Sequence, residues 1–389
     1  MTMNKYHSDV LIIGAGSMGM AAGYYLAKKG IQTVLLDAYD PPHLQGSHHG
    51  DTRLYRYTYP DQRPFIPLAL RALELWKELE AQTSEQILDP TGVLSIGIDG
   101  PSSMEDKLAA AREFSLPVER YSREEILKRW PGFVLPESAE GLLETQAGIL
   151  YPEKAIQSYR QLALQEGAKL FPHTRVEKVT YHAHGVTVQT KDHIFTADKL
   201  LICAGAGNPS LVGDLKLPMR VMRKAVGWFE TQGTFFHSPA FPGFVITKGT
   251  TDYYGFPDRE GGGLKVGRHD GGQEVQFGHE IPPFGSFTED EQDLRQCLDT
   301  YMPQASGQLL RGSTCLYTVT PDEHFIVDRH PNHSHVLLAA GFSGHGFKFV
   351  SALGEALSQF LVEGKPAIDL SLFSTRRFPS LEDMESRKG

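Results

Sequence analysis

The chain has 389 residues, 40% hydrophobic and 22% charged; that length suggests two or three domains, and that composition excludes global disorder. A net charge of −9 and a pI near 6.0 argue against nucleic acid or an anionic membrane as partner, because neither attracts an acidic surface. The cysteines Cys203, Cys297 and Cys315 are too few and too irregularly spaced for a disulfide scaffold or a zinc ribbon, and they fit a reducing compartment.

No apolar run approaches the ~18 residues of a membrane-spanning helix. Lys5 followed by the apolar stretch from Val10 imitates a signal peptide, but Gly14, Gly16 and Gly19 interrupt it. The closing Ser386-Arg387-Lys388-Gly389 is not a peroxisomal signal, so the cytoplasm is expected. No His/Cys/carboxylate cluster suggests a metal.

In chain order, Val10 to Ile13 is a short continuous apolar run, as in a strand buried on both faces of a parallel sheet. A glycine turn leads into a helical stretch, Ser17 to Lys29, with Gly30 where a left-handed cap falls. Thr33 to Leu36 forms a second buried strand ending at Asp37, which completes a βαβ unit. Ile66, Leu70, Leu73, Trp76 and Leu79 recur at helical spacing. Ser122 with Glu125 reads as a capping box, and Pro131 ends that helix. Tyr151 to Glu166 is helical and stops at Gly167, and Thr288 with Glu291 opens a helix that ends near Pro303. Val176 to Thr190 and Lys224 to His269 alternate as antiparallel strands do. Strand–glycine–helix signals return at Leu200 and at Val336, so the domains are interleaved. The expected fold is α/β: a Rossmann-like domain (1–90, 145–218 and 320–389) and a mainly antiparallel substrate domain (91–144 and 219–319).

Gly14-Ala15-Gly16-Ser17-Met18-Gly19 is a G-x-G-x-x-G turn between strand and helix. The first glycine makes the turn, the second admits a pyrophosphate and the third lets helix and strand pack; the helix start offers free N–H groups. Asp37 follows Gly19 by 18 residues, near the ~20 expected of an acid on the ribose hydroxyls. An acid there leaves FAD or NAD. Two late strands running into glycines, Leu200 to Gly207 and Val336 to Lys348, favour FAD, because a helix start there can stabilise negative charge on a flavin ring.

Ser47-His48-His49-Gly50-Asp51-Thr52-Arg53, Tyr253-Tyr254-Gly255-Phe256-Pro257, the segment from Cys315 to Phe325, and Gly341 to Lys348 resemble the monomeric sarcosine oxidase and N-methyltryptophan oxidase family. The resemblance covers about Asp9 to Phe373. It implies FAD-dependent oxidation of an N-methyl amino acid by oxygen, with peroxide as product and a monomeric enzyme. It implies FAD tethered through its 8α carbon to Cys315, and substrate carboxylate held by Arg56 and Lys348. It makes Lys265 the residue that activates oxygen, sets Arg53 against the flavin, and sets Tyr254, His269 and Tyr317 around the substrate. It also extends the cofactor set to Ser47, His48, Thr52, Val176, Gly344, His345, Gly346 and Lys348. Two departures bear on side-chain preference. Where the family reads His-Ala-Tyr-Gly-Glu-Gly after the arginine, this chain has Tyr57-Thr58-Tyr59-Pro60-Asp61-Gln62, and Val245 replaces a methionine.

Overall fold

Continuous apolar strands can be buried on both faces only inside a layered α/β core, and the computed structural model buries them so. It describes residues 3–59, 62–100, 102–212, 215, 217–276, 278 and 280–378. Pro60, Asp61 and the closing residues 386–389, named above, lie outside them. Val10 to Ile13 are at most 4% exposed, each contributing about 1.5–3 kcal/mol by burial.

The strand Asn4–Ile13 pairs in parallel with Thr33–Leu36 on one side and His193–Ile202 on the other. The latter forks. Its first half pairs antiparallel with Gly185–Thr190 and its last three residues pair in parallel with His333–Ala340, so the late glycine loop is delivered beside the first. The helix Ser17–Lys28 packs on Val350–Glu363 so closely that a Cβ on Gly354 would stand 2.6 Å from that of Ala21.

The second sheet, nine strands among the described residues, gathers Val93–Gly97, Val118–Ser122 and Glu140–Glu144 with the strands between Arg220 and Val319. It is antiparallel except where Gly243–Lys248 runs parallel to Val93–Gly97. One face carries Phe244, Ile246, Tyr253, Leu264 and Val266 into a core closed by Leu294, Cys297 and Leu298 of the helix Glu289–Tyr301. The other face turns toward the first sheet.

Helix bounds follow the local signals. Ser122 accepts the Glu125 N–H and Glu125 answers the Ser122 N–H, completing the capping box of Arg123–Arg129. The amphipathic helix Phe65–Thr83 is longer than its apolar spacing indicates, and it ends at Ser84 in the left-handed region (φ 57°). No described helix is long and apolar enough to cross a membrane.

Candidate active site

The glycine turn opens a cleft of about 220 Å³. Gly14 has φ +94°, and a Cβ there would stand 2.5 Å from the Cys203 carbonyl oxygen; one on Gly19 would stand 1.9 Å from the Gly14 oxygen. The strand, turn and helix can meet this closely only without side chains. Helix Ser17–Lys28 has no side-chain cap and no acid in its first turn, so its N–H groups stay free where Gly16, Ser17 and Met18 line the cleft. Ser47, His48, Arg53, Val176, Gly344 and Gly346 line it as expected. Tyr39, His43, Arg175, Phe342 and Phe347 line it too, without a short-range sequence signal. The cleft runs from an uncapped helix start to the late glycine loop, and that lining fits FAD.

Asp37 lines the cleft, and its carboxylate also bonds to the loop itself. It accepts the N–H groups of Ala15 and Tyr39 (both 2.9 Å) and pairs with His43 at 3.2 Å. These bonds brace the fingerprint turn with one N–H on each oxygen, so the carboxylate keeps acceptor capacity toward the cleft, where its spacing places the ribose hydroxyls. His48 accepts the His43 N–H through Nε2, and burial pushes its imidazole down to about 3, so it is neutral.

A smaller cavity of about 80 Å³ adjoins, lined by Arg53, Arg56, Val245, Tyr254, His269, Tyr317, Gly344 and Lys348. Arg53, Tyr317 and Gly344 border both spaces. Strand register builds this wall, since residues directly opposite in a ladder share a face. One row runs Ser313, Val226, Gly267, Tyr254, Val245; a second runs Arg311, Trp228, Lys265, Phe256; and Cys315 stands opposite Lys224. Glycine clears the way at two points. A Cβ on Gly267 would meet the Tyr254 phenol at 2.6 Å, and one on Gly344 the Tyr317 ring at 2.0 Å. The two phenols approach to 3.4 Å.

Lys348 is buried and donates to the His345 carbonyl at 2.8 Å; burial and then Arg56 push its ammonium well below the usual lysine range. Trp76 supports this turn, donating from its indole to the Lys348 carbonyl (3.0 Å) and stacking on Phe347. Arg56 makes no ion pair or hydrogen bond among the described residues, and its guanidinium lies 6.0 Å above the Tyr59 ring. Two cations thus face a small cavity with no ion-pair partner among the described residues. His269 is held by its own N–H to the Asp252 carbonyl (2.8 Å) and by Lys224, which donates to the His269 carbonyl at 2.5 Å. Burial, then Lys224 and Arg56, push its imidazole down to about 4, so it is neutral at pH 7.

Some expected residues stand elsewhere. Lys348 and His345 line the small cavity and not the cofactor cleft; His345 Nε2 reaches the Glu323 carbonyl (3.1 Å), which turns the imidazole toward the buried Phe325. Lys265, Thr52 and Cys315 line neither space. Lys265 donates to the Gly50 oxygen (2.6 Å) and to Thr52 O and Oγ1 (both 3.1 Å), behind Arg53, and burial drives its ammonium well below the usual range. Cys315 is 6% exposed and shares a strand face with Tyr317. Of the altered segment, Tyr57, Thr58 and Tyr59 are buried and line neither cavity.

A dinucleotide cleft opening on a cationic pocket, at the junction of a Rossmann-type sheet and an antiparallel one, defines a dinucleotide-dependent oxidoreductase. The family model described as FAD dependent oxidoreductase matches residues 9–360, and the chain belongs to that family. It is 48% identical over 381 residues to monomeric sarcosine oxidase of Bacillus sp. (strain B-0618), covering 97% of each chain. It is 38% identical over 371 residues to N-methyl-L-tryptophan oxidase of Salmonella heidelberg (strain SL476), covering 95% of this chain and 99% of that one. The solved structure of NikD, described as an unusual amino acid oxidase essential for nikkomycin biosynthesis, superimposes with a TM-score of 0.82 at 22% identity, over 95% of this chain and 97% of that one. The resemblance read from the sequence is therefore borne out, and the protein is a flavin-dependent enzyme.

Proposed function

We propose that this protein oxidises sarcosine, or an N-methyl amino acid of similar size, to the amino acid, formaldehyde and hydrogen peroxide. The observation that carries this reading is the pair of cations, Arg56 and Lys348, facing a cavity of about 80 Å³ with no ion-pair partner among the described residues. Such a space holds on the order of six water-sized atoms, roughly the size of sarcosine. The relative that acts on N-methyltryptophan is also the less similar of the two.

FAD would supply the redox chemistry, accepting two electrons from the substrate C–H bond and passing them to oxygen. The chain's own groups do the rest. Arg56 and Lys348 grip the carboxylate and so fix which C–H faces the cofactor cleft. An ammonium cannot give up electrons, so the amine must lose its proton; neutral His269, with the Tyr254 and Tyr317 hydroxyls, offers it polar partners. The resulting imine hydrolyses in water. Lys265 is a fixed positive charge for the negative charge that develops as oxygen is reduced. Gly14, Gly16, Ser17, Met18, Asp37, Ser47, His48, Arg53, Val176, Gly344 and Gly346 would hold the cofactor, and Cys315 would tether it through sulfur. The partners are then a small amino acid and oxygen, and the enzyme is a cytoplasmic monomer.

The test is a visible spectrum of the purified protein followed by anaerobic titration with sarcosine. Flavin bands that bleach with sarcosine, with formaldehyde and peroxide released in air, support the reading. Bleaching by proline or pipecolate without formaldehyde assigns the site to cyclic amino acids; a colourless folded protein refutes the proposal.

A further inference from the structure

Glu144, at the end of strand Glu140–Glu144, is wholly buried (0% exposed) yet has no ion-pair partner among the described residues. Buried carboxylates are ordinarily paired with a cation. This one instead accepts from three neutral donors: the Tyr57 N–H (2.5 Å), the Thr58 N–H (3.0 Å) and the Thr58 hydroxyl (2.6 Å). These are the two residues that follow Arg56. The chain directly behind the guanidinium is therefore clamped, while the guanidinium itself stays free.

The charge of Glu144 acts on the same neighbourhood. It favours the cationic forms of Lys348 and of Lys107 from helix Ser102–Glu113, both of which burial and Arg56 disfavour. Asp252, lining the cavity and bonded to Thr247 (2.6 Å), also favours the Lys107 charge. Tyr55, Tyr57 and Tyr59 face Glu144 as neutral phenols, their ionisation suppressed by burial. A carboxylate that closed an ion pair with Arg56 or Lys348 would compete with a ligand for it; one satisfied by backbone N–H groups and a hydroxyl does not.

We propose that Glu144 is a positioning residue for the carboxylate grip, fixing Arg56 through Tyr57 and Thr58. The proposal rests on the reading that Arg56 and Lys348 bind a substrate carboxylate. Thr58 belongs to the segment in which this chain departs from its family, and its hydroxyl supplies one of the three bonds.

The experiment uses the flavin-loaded enzyme and acetate as a minimal carboxylate, with binding read from the visible spectrum. Glu144→Gln should weaken acetate about tenfold, while the limiting rate of anaerobic reduction by sarcosine stays within about threefold of wild type. Lys348→Ala is measured beside it. Acetate affinity retained in Glu144→Gln but lost in Lys348→Ala overturns the positioning role alone; affinity retained in both overturns the carboxylate grip itself. Acetate binding and limiting rate falling in parallel also overturns the proposal, because a general collapse moves both. Should Glu144→Gln not fold, Thr58→Ala against Thr58→Ser carries the same test: alanine weakens acetate by about threefold and serine restores it. Equal affinities in those two variants overturn it.

Discussion

Lys265→Met separates the chemistry of oxygen from that of the substrate. The ammonium is held by three oxygens of Gly50 and Thr52 and lies 5.1 Å from the Trp228 ring and 4.6 Å from that of Phe256. Methionine keeps the length and the apolar contacts but removes the charge and all three bonds. Two costs follow. Leaving those acceptors unpaired costs on the order of 1–3 kcal/mol of stability, offset in part because a buried ammonium is no longer desolvated. The loss of a fixed charge where oxygen gains electrons costs about 10²–10³ in rate. The assay reduces the enzyme anaerobically with sarcosine, then mixes it with oxygenated buffer and follows the visible band by stopped flow. Reoxidation should fall by about 10²–10³, and the preceding reduction should change by less than about threefold. Burial and Arg53 push the Lys265 ammonium down, so in the wild type reoxidation should slow as pH rises through that lowered value; in Lys265→Met it should be independent of pH over the same range. Reoxidation within about threefold of wild type would refute the oxygen role and leave Lys265 as an anchor for residues 50–52.

Cys315→Ala should fold and bind FAD, but after acid precipitation its yellow colour should appear in the supernatant, whereas wild type keeps it in the pellet; equal retention sinks the tether. Lys348 grips a carboxylate only as a cation, and its ammonium is pushed well below the usual range. Acetate affinity should therefore fall as pH rises through that lowered value, before a free lysine would titrate, and Lys348→Ala should abolish this dependence. Gly344→Ala adds a Cβ 2.0 Å from the Tyr317 ring at a residue with φ +78°. It should destabilise the protein by more than about 1 kcal/mol and, by displacing Tyr317, raise the KM for sarcosine; thermal melting and steady-state kinetics check both.

Short-range signals set the local elements. Gly14, Gly16 and Gly19 set between two apolar strands force a tight turn and an open helix start, and Ser122 with Glu125 closes a cap; each acts over a few residues and needs no distant partner. The roles of Arg56, Lys265 and Cys315 came from resemblance to a family, because nothing within a few residues distinguishes them from surface or core side chains. Lys224 gave a faint signal, standing at the same alternation as Val226 and Trp228, and so did Glu144, an acid directly after Leu142-Leu143. Which strands lie side by side is set by long-range packing. Pairing Lys224 with Cys315 and Trp228 with Lys265 joins residues far apart in the chain, and a slip of one residue would turn each of them to the opposite face. The same long-range packing turned the His345 ring toward Phe325, braced the fingerprint turn on Asp37, and set Glu144 behind Tyr57 and Thr58. Such placements depend on which surfaces are buried together, a property of the whole fold.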